Sequence, residues 1–210
     1  MDNTIVGIIL STVTCTDGIY LALLLDKYYD NSLPVATLDN NDDIQEKAEK
    51  LVSNCIIGGR KYFTKQIETY KKSYDEKTDT CYLGLVPPSN AKCTGNGEFF
   101  RLKLENDDDL KITGFTILDT YGKEIKKPSP KECRYIIDAL NSLRSNALIN
   151  NDALHILDDE FRLTYAQRVY ERILGKKFLA FRRFISDKVE ETGNIYTDTG
   201  HRPGKLYRLK

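Results

Sequence analysis

No apolar run in the 210-residue sequence approaches the roughly 18 residues that a helix needs to cross a bilayer. The opening run TIVGIILSTV also lacks the basic flank and small-residue cleavage site of a signal peptide, so a cytoplasmic location without membrane contact is expected. Paired cysteines are missing as well. Cys15, Cys55, Cys81, Cys93 and Cys133 are odd in number, scattered and never spaced as C-x-x-C, which argues against both a disulfide framework and a zinc site. Net charge is absent overall, but the zero hides an asymmetry. From Phe161 onward there are 12 Lys and Arg against 5 Asp and Glu, while residues 1–160 hold 19 against 26. A basic quarter on an otherwise acidic chain is the electrostatic pattern of a segment that meets nucleic acid or a membrane surface.

What is present suffices for a folded protein: 40% of residues are hydrophobic and 30% charged, far from the composition of a disordered chain. TIVGIILSTV and DGIYLALLLDK are β-branched and aromatic runs joined across Asp17-Gly18, and they read as a hairpin or neighbouring strands. After the acidic loop DNNDD, the apolar positions Ile44, Ala48, Leu51, Val52 and Cys55 fall on one face of a helix spanning Ile44 to Ile56. TCYLGLVP, EFFRLKLE and GFTILDT read as further strands. SPKECRYIIDALNSLRSNAL reads as a helix that starts at Ser129-Pro130. Residues 1–150 are therefore expected to form an α/β domain with a mixed sheet and helices.

From Phe161 the texture changes. TYAQRVYERILG predicts a helix with Thr164 as N-cap and Gly175 as its stop. KKFLAFRRFISDKVEETG predicts a second helix with Phe178, Phe181, Phe184 and Ile185 inward and Arg182, Arg183 and Lys188 outward. NIYTDTGHRPGKLYRLK reads as strand, turn, strand. Helix, short turn, helix and β-hairpin is the order of a winged helix-turn-helix, placing a DNA-binding domain at residues 151–210.

The succession FRLTYAQRVYERILGKKFLAFRRFISDKVEETG and HRPGKLYRLK closely resembles the C-terminal winged helix of the Nudix-related transcriptional regulators, the NrtR family, over about fifty residues. The N-terminal part resembles the same family through its strand order and TCYLGLVP. That resemblance implies a Nudix fold, whose box reads Gly, five residues, Glu, seven residues, then Arg-Glu-U-x-Glu-Glu-x-Gly-U, with U a large aliphatic residue. In this register Ala36 stands at the first Gly, Asp42 at the first Glu and Lys50 at the Arg, while Leu51, Asn54 and Cys55 replace the three later glutamates. Magnesium wants hard oxygen ligands, and Leu51 offers none, Asn54 a neutral carbonyl and Cys55 a soft thiol. Loss of hydrolysis is expected, with no catalytic residue, no bound metal and no cofactor.

The resemblance thus implies a homodimeric, cytoplasmic DNA-binding regulator, a repressor of a palindromic double-stranded operator. Its Nudix-like domain would sense a small nucleotide-type ligand such as ADP-ribose or a related NAD metabolite. Arg182, Arg183 and Lys188 on the second helix and His201, Arg202 and Lys205 on the hairpin are the expected DNA contacts. Two other readings compete: a protein-interaction module built on the same two domains, and a residual hydrolase using Glu46, Glu49 or Glu68. His155 and the acidic clusters Asp42-Asp43, Asp107 to Asp109 and Asp158 to Glu160 read as structural.

Overall fold

Strand β1 (Thr4–Cys15) is buried almost from end to end, because helices cover both faces of the sheet at its centre. The computed structural model describes residues 3–57, 62–72, 77–197 and 203–210. β1 pairs along one edge with β5 (Thr78–Leu85) in parallel. Along its other edge it is shared, its first residues pairing with β3 (Val35–Thr37) and its last with β2 (Gly18–Asp26), both antiparallel. β4 (Phe63–Lys71), β6 (Gly97–Asn106) and β7 (Ile112–Leu118) complete a mixed seven-stranded sheet of order β4-β5-β1-β2-β6-β7 with β3 beside β1. The expected β1–β2 hairpin is present and turns at Thr16-Asp17, one residue before the Asp17-Gly18 pair that signalled it, Gly18 already facing Cys15 in β2. β4 is an addition: the run FTKQIETYK carries mostly polar, half-exposed side chains, so no apolar alternation marked it.

Alternation along β1 sorts the core into two layers. Ile5 and Ile9 face helix α1 (Ile44–Cys55), meeting its Ala48 and Val52, whereas Val6, Ile8 and Leu10 face α2 (Pro130–Asn146) and the C-terminal elements. Gly84 of β5 lets α1 approach, since a Cβ there would lie 3.1 Å from Val52 and 3.3 Å from Ile9. Both N-terminal helices are capped by side chains. Asp43 accepts from Glu46 N at 2.8 Å, and Ser129 and Glu132 form a reciprocal capping box.

The C-terminal region contains α3 (Leu163–Leu174), α4 (Phe181–Ile185), β8 (Val189–Tyr196) and β9 (Gly204–Leu209), the last two forming a hairpin. Helix, turn, helix and wing follow in the order expected, with two corrections. α3 begins before Thr164, its N-cap being Arg162 without a side-chain bond. The second helix is a short one, because VEETG belongs to the wing: Val189 is buried opposite Leu209, and Glu190 pairs with Arg208. Gly175 ends α3 at φ 71°, a left-handed conformation that glycine adopts without a Cβ clash. No helix among the described residues is long and apolar enough to cross a membrane.

Candidate nucleic-acid interface

The box positions come first, because their geometry says what the α1 face can do. Leu51 leans on the sheet, its Cδ2 3.3 Å from where a Cβ on Gly7 would lie. Asp42 is occupied, accepting from Lys47 Nζ at 2.7 Å and from Asp39 N at 3.0 Å, and the Lys47 bond first of all holds its carboxyl below the usual range. Asn54 is exposed, and its backbone carbonyl, not its side-chain amide, accepts from the Thr94 hydroxyl. Burial pushes the Cys55 thiol up to about 11, with Cys93 nearby adding to the effect. A neutral thiol, an amide, an aliphatic side chain and a lysine-bound carboxylate do not make the hard, anionic oxygen set that magnesium takes, so these residues do not fit that ion. Among the described residues no group of three His, Cys, Asp or Glu side chains is placed to hold a metal ion. Glu46 pairs with Lys50 and Glu49 accepts from Gln45, both along the helix surface, while Glu68 sits exposed at a bulge of β4.

The acidic clusters are turn chemistry. Asp43 caps α1, Asp107 accepts from the backbone of Asp109 and Lys111, and Asp158 accepts from Ser89 N at 2.9 Å. His155 stacks on Phe63, ring centroids 4.7 Å apart and planes within 3°.

The winged helix is built around the segment Gln167-Arg168-Val169-Tyr170-Glu171, and each residue type has a visible task. Val169 and Tyr170 are buried, and Tyr170 is the hub of an aromatic cluster with Phe181 and Phe184, each 5.4 Å away, and Phe178 at 6.4 Å. Gln167 and Glu171 tie down the turn into α4. Glu171 accepts from Phe178 N at 3.0 Å and Gln167 donates to Phe178 O at 3.3 Å. The Phe178 amide is the first of the bonds that hold the Glu171 carboxyl below its ordinary range, against the opposing effect of burial. A segment of only five helical residues would be marginal alone; the rings and these two bonds fix its direction.

Arg182 and Arg183 are exposed on α4, and Lys176 and Lys177 are exposed on the turn before it, Lys177 lying 3.4 Å from the Glu171 carboxylate. Between the two pairs stands Leu179, 93% exposed. Sequence periodicity singled out the two arginines but not Leu179, Lys176 or Lys177, because a turn has no period to read. An exposed apolar side chain flanked along the chain by cations can meet a thymine methyl in a major groove while its neighbours take phosphates or guanine edges.

The remaining expected contacts separate. Lys188 lies beyond α4, half-buried over the Phe184 ring at 5.1 Å and donating to Asn151 Oδ1 at 3.0 Å, which ties it to the scaffold. Lys205 projects from β9 but pairs with Glu191 across the hairpin at 2.9 Å, and Arg208 pairs with Glu190 at 2.7 Å. His201 and Arg202 fall outside the described residues. The wing is anchored at its base by two backbone bonds of 2.9 Å between Phe161 and Tyr207 and by Arg162 over the Tyr196 ring at 4.2 Å.

Comparison with known proteins bears on this arrangement. The family model of the NrtR DNA-binding winged helix domain matches residues 153–209. The structure of Shewanella oneidensis NrtR complexed with a 27mer DNA superposes with a TM-score of 0.70 at 21% identity, covering 99% of this chain and 93% of that one. A second structure, of Shewanella oneidensis NrtR, gives 0.69 at 22% identity, covering 100% and 94%. A MutT/nudix family protein from Enterococcus faecalis gives 0.69 at 17%, covering 100% and 86%. At such identities the likeness is one of fold. No curated protein matches the chain in sequence.

Proposed function

From a chain of the NrtR fold whose residues 153–209 form an NrtR winged helix domain, we propose a DNA-binding transcriptional regulator whose Nudix-like domain senses rather than hydrolyses. The observation that carries the reading is the set of exposed cations Lys176, Arg182 and Arg183 to either side of the exposed Leu179, on a turn and helix packed against the aromatic cluster. The protein acts as a cytoplasmic homodimer on a palindromic operator, two such faces reading half-sites about one helical turn apart. It works as a repressor tuned by a nucleotide-type ligand of the ADP-ribose class, which releases DNA by preferring the non-binding arrangement. The lost carboxylates at Leu51, Asn54 and Cys55 support a domain without hydrolytic turnover.

Fluorescence anisotropy against DNA from the protein's own upstream region tests this. Binding that survives unrelated competitor DNA and falls with salt at a log–log slope of about −5, for about six phosphate contacts, is expected. Arg182→Ala or Arg183→Ala should each weaken it about tenfold and, where a phosphate contact is lost, flatten the slope by about one. Lys205→Ala should change it by less than about threefold, its charge being already matched by Glu191. Salt-insensitive association with no sequence preference would instead favour the interaction-module reading.

A further inference from the structure

A groove of about 1200 Å³ opens between the β1–β2 hairpin, β6 and α3, on the opposite side of the sheet from α1 and its altered box. It is strongly cationic. Lys103, Arg144, Arg168, Arg172 and Lys176 line it, and none of them pairs with a carboxylate among the described residues. The two acids in its wall are already engaged, Asp17 by the Tyr20 hydroxyl at 2.5 Å and Glu171 by Phe178 N at 3.0 Å.

Arg144 is the least expected of the set. It reaches from the end of α2 to Ile173 O at 2.6 Å, to Asn106 Oδ1 at 2.7 Å and to Leu110 O, yet its Nη2 is buried with no hydrogen-bond partner. Burial opposes the charge of this half-buried guanidinium and its acceptors are all neutral, so an anion in the groove would offset that cost. Arg168 and Arg172 stand one turn apart on the exposed side of α3, so both point from the same helix face.

We propose that this groove binds a small phosphorylated polyanion of the nucleoside diphosphate class, which bridges the Nudix-like sheet and the first helix of the winged helix. Seven Lys and Arg against the two carboxylates Asp17 and Glu171 leave a positive surplus that calls for more than one negative charge, and a diphosphate supplies that in a short span. One wall is the hairpin, β6 and the end of α2. The other is α3 and the turn at Gly175 to Lys177, which leads into the DNA-reading helix. An occupant that touches both walls binds differently whenever the two regions shift against each other, which is what linkage to DNA affinity requires. The coupling rests on the proposed regulator function; the binding does not.

Isothermal calorimetry of the full chain with ADP and with inorganic pyrophosphate tests the site, adenosine serving as the neutral control. Saturable binding of both anions, weakened at least tenfold in the Arg168→Ala/Arg172→Ala double variant, is the expected result. Lys71→Ala/Lys111→Ala, in a second basic groove beside β4 and α2, should leave it unchanged. Absence of saturable binding in the folded wild-type protein would overturn the assignment. So would a double variant that binds ADP like wild type, or a Lys71/Lys111 variant weakened to the same degree. An operator titration on the same samples is independent. Loss of operator binding in wild type with ADP binding intact would sink the regulator reading and leave the groove in place. Loss of operator affinity by the double variant with unchanged ADP binding would mark the groove as a DNA contact and overturn the proposal.

Discussion

Glu171 puts a negative charge within reach of the basic face, and simple Coulomb reasoning says that removing it should strengthen DNA binding. The geometry says the opposite, because that carboxylate receives the Phe178 amide and so sets the turn that aims α4. Glu171→Ala is expected to weaken operator binding about tenfold, through the loss of a charge-assisted bond of about 1.5 to 3 kcal/mol. Glu171→Gln, which keeps an acceptor oxygen, should stay within about threefold of wild type in the same anisotropy assay. A gain in affinity for the alanine variant would show that charge outweighs positioning. Asp79 poses a related question inside the sheet. Buried at 2% exposure, its carboxylate is met by Thr4, by Lys131 Nζ at 2.9 Å, by Lys72 Nζ at 3.0 Å and by the Tyr135 hydroxyl at 2.9 Å. Burial opposes ionisation, but these four donors together prevail and hold the carboxyl well below the usual carboxylate range. Its folded-state acidity being greater than the unfolded value of about 3.9, the stability it lends is complete above that pH and is lost as pH falls towards the folded value. Asp79→Asn should cost about 3 kcal/mol at pH 7 in urea unfolding, with the difference from wild type shrinking under acid.

Element boundaries depend on what each end is bonded to. α2 starts with a complete capping box, and Ser129→Ala should destabilise the protein by about 1 kcal/mol. Thr164 offers another hydroxyl two positions after the N-cap of α3 but lies inside the helix, so Thr164→Ala should cost less than about 0.5 kcal/mol. Measuring both unfolding midpoints against wild type distinguishes the two positions; equal losses would mean that Thr164 caps after all. At the other end of the winged helix, VEET pairs into the wing despite two glutamates that favour helix, because Arg208 and Lys205 meet them across the hairpin and Val189 gains a buried position.

At the scale of the whole chain, the main core does not stop near residue 150. Leu21 and Leu102 from the sheet, Ile136 and Leu140 from α2, and Val169, Ile173 and Phe181 from the winged helix belong to one continuous buried cluster. Tyr165 adds a 2.6 Å bond from α3 to Thr12 of β1. Two regions that share a core unfold together, so calorimetry of the apoprotein should show one transition with calorimetric and van't Hoff enthalpies in agreement. Two separated transitions would mean that residues 151–210 stand as an independent unit, as their sequence texture suggested.

The sequence by itself determined the elements whose periodicity is local: the β1–β2 hairpin, the stripes of α1, α2 and α3, and the helix-turn-helix-wing order. The resemblance to the Nudix box adds a proposal of the same local kind, that Leu51, Asn54 and Cys55 stand where that box has glutamates, since its register runs along one helix. β4 escaped because its side chains are half-exposed and its strand character comes from pairing with β5. The tertiary structure alone decided which cations are free. Lys205, Lys188 and Arg183 look alike as letters, but cross-strand pairing neutralises the first, an aromatic ring and Asn151 hold the second, and only the third stands exposed on the α4 face. The groove was illegible for the same reason. Lys103, Arg144 and Arg172 are far apart along the chain, and charge density is a property of distances in space, which only the packing of α2 and α3 against the sheet sets.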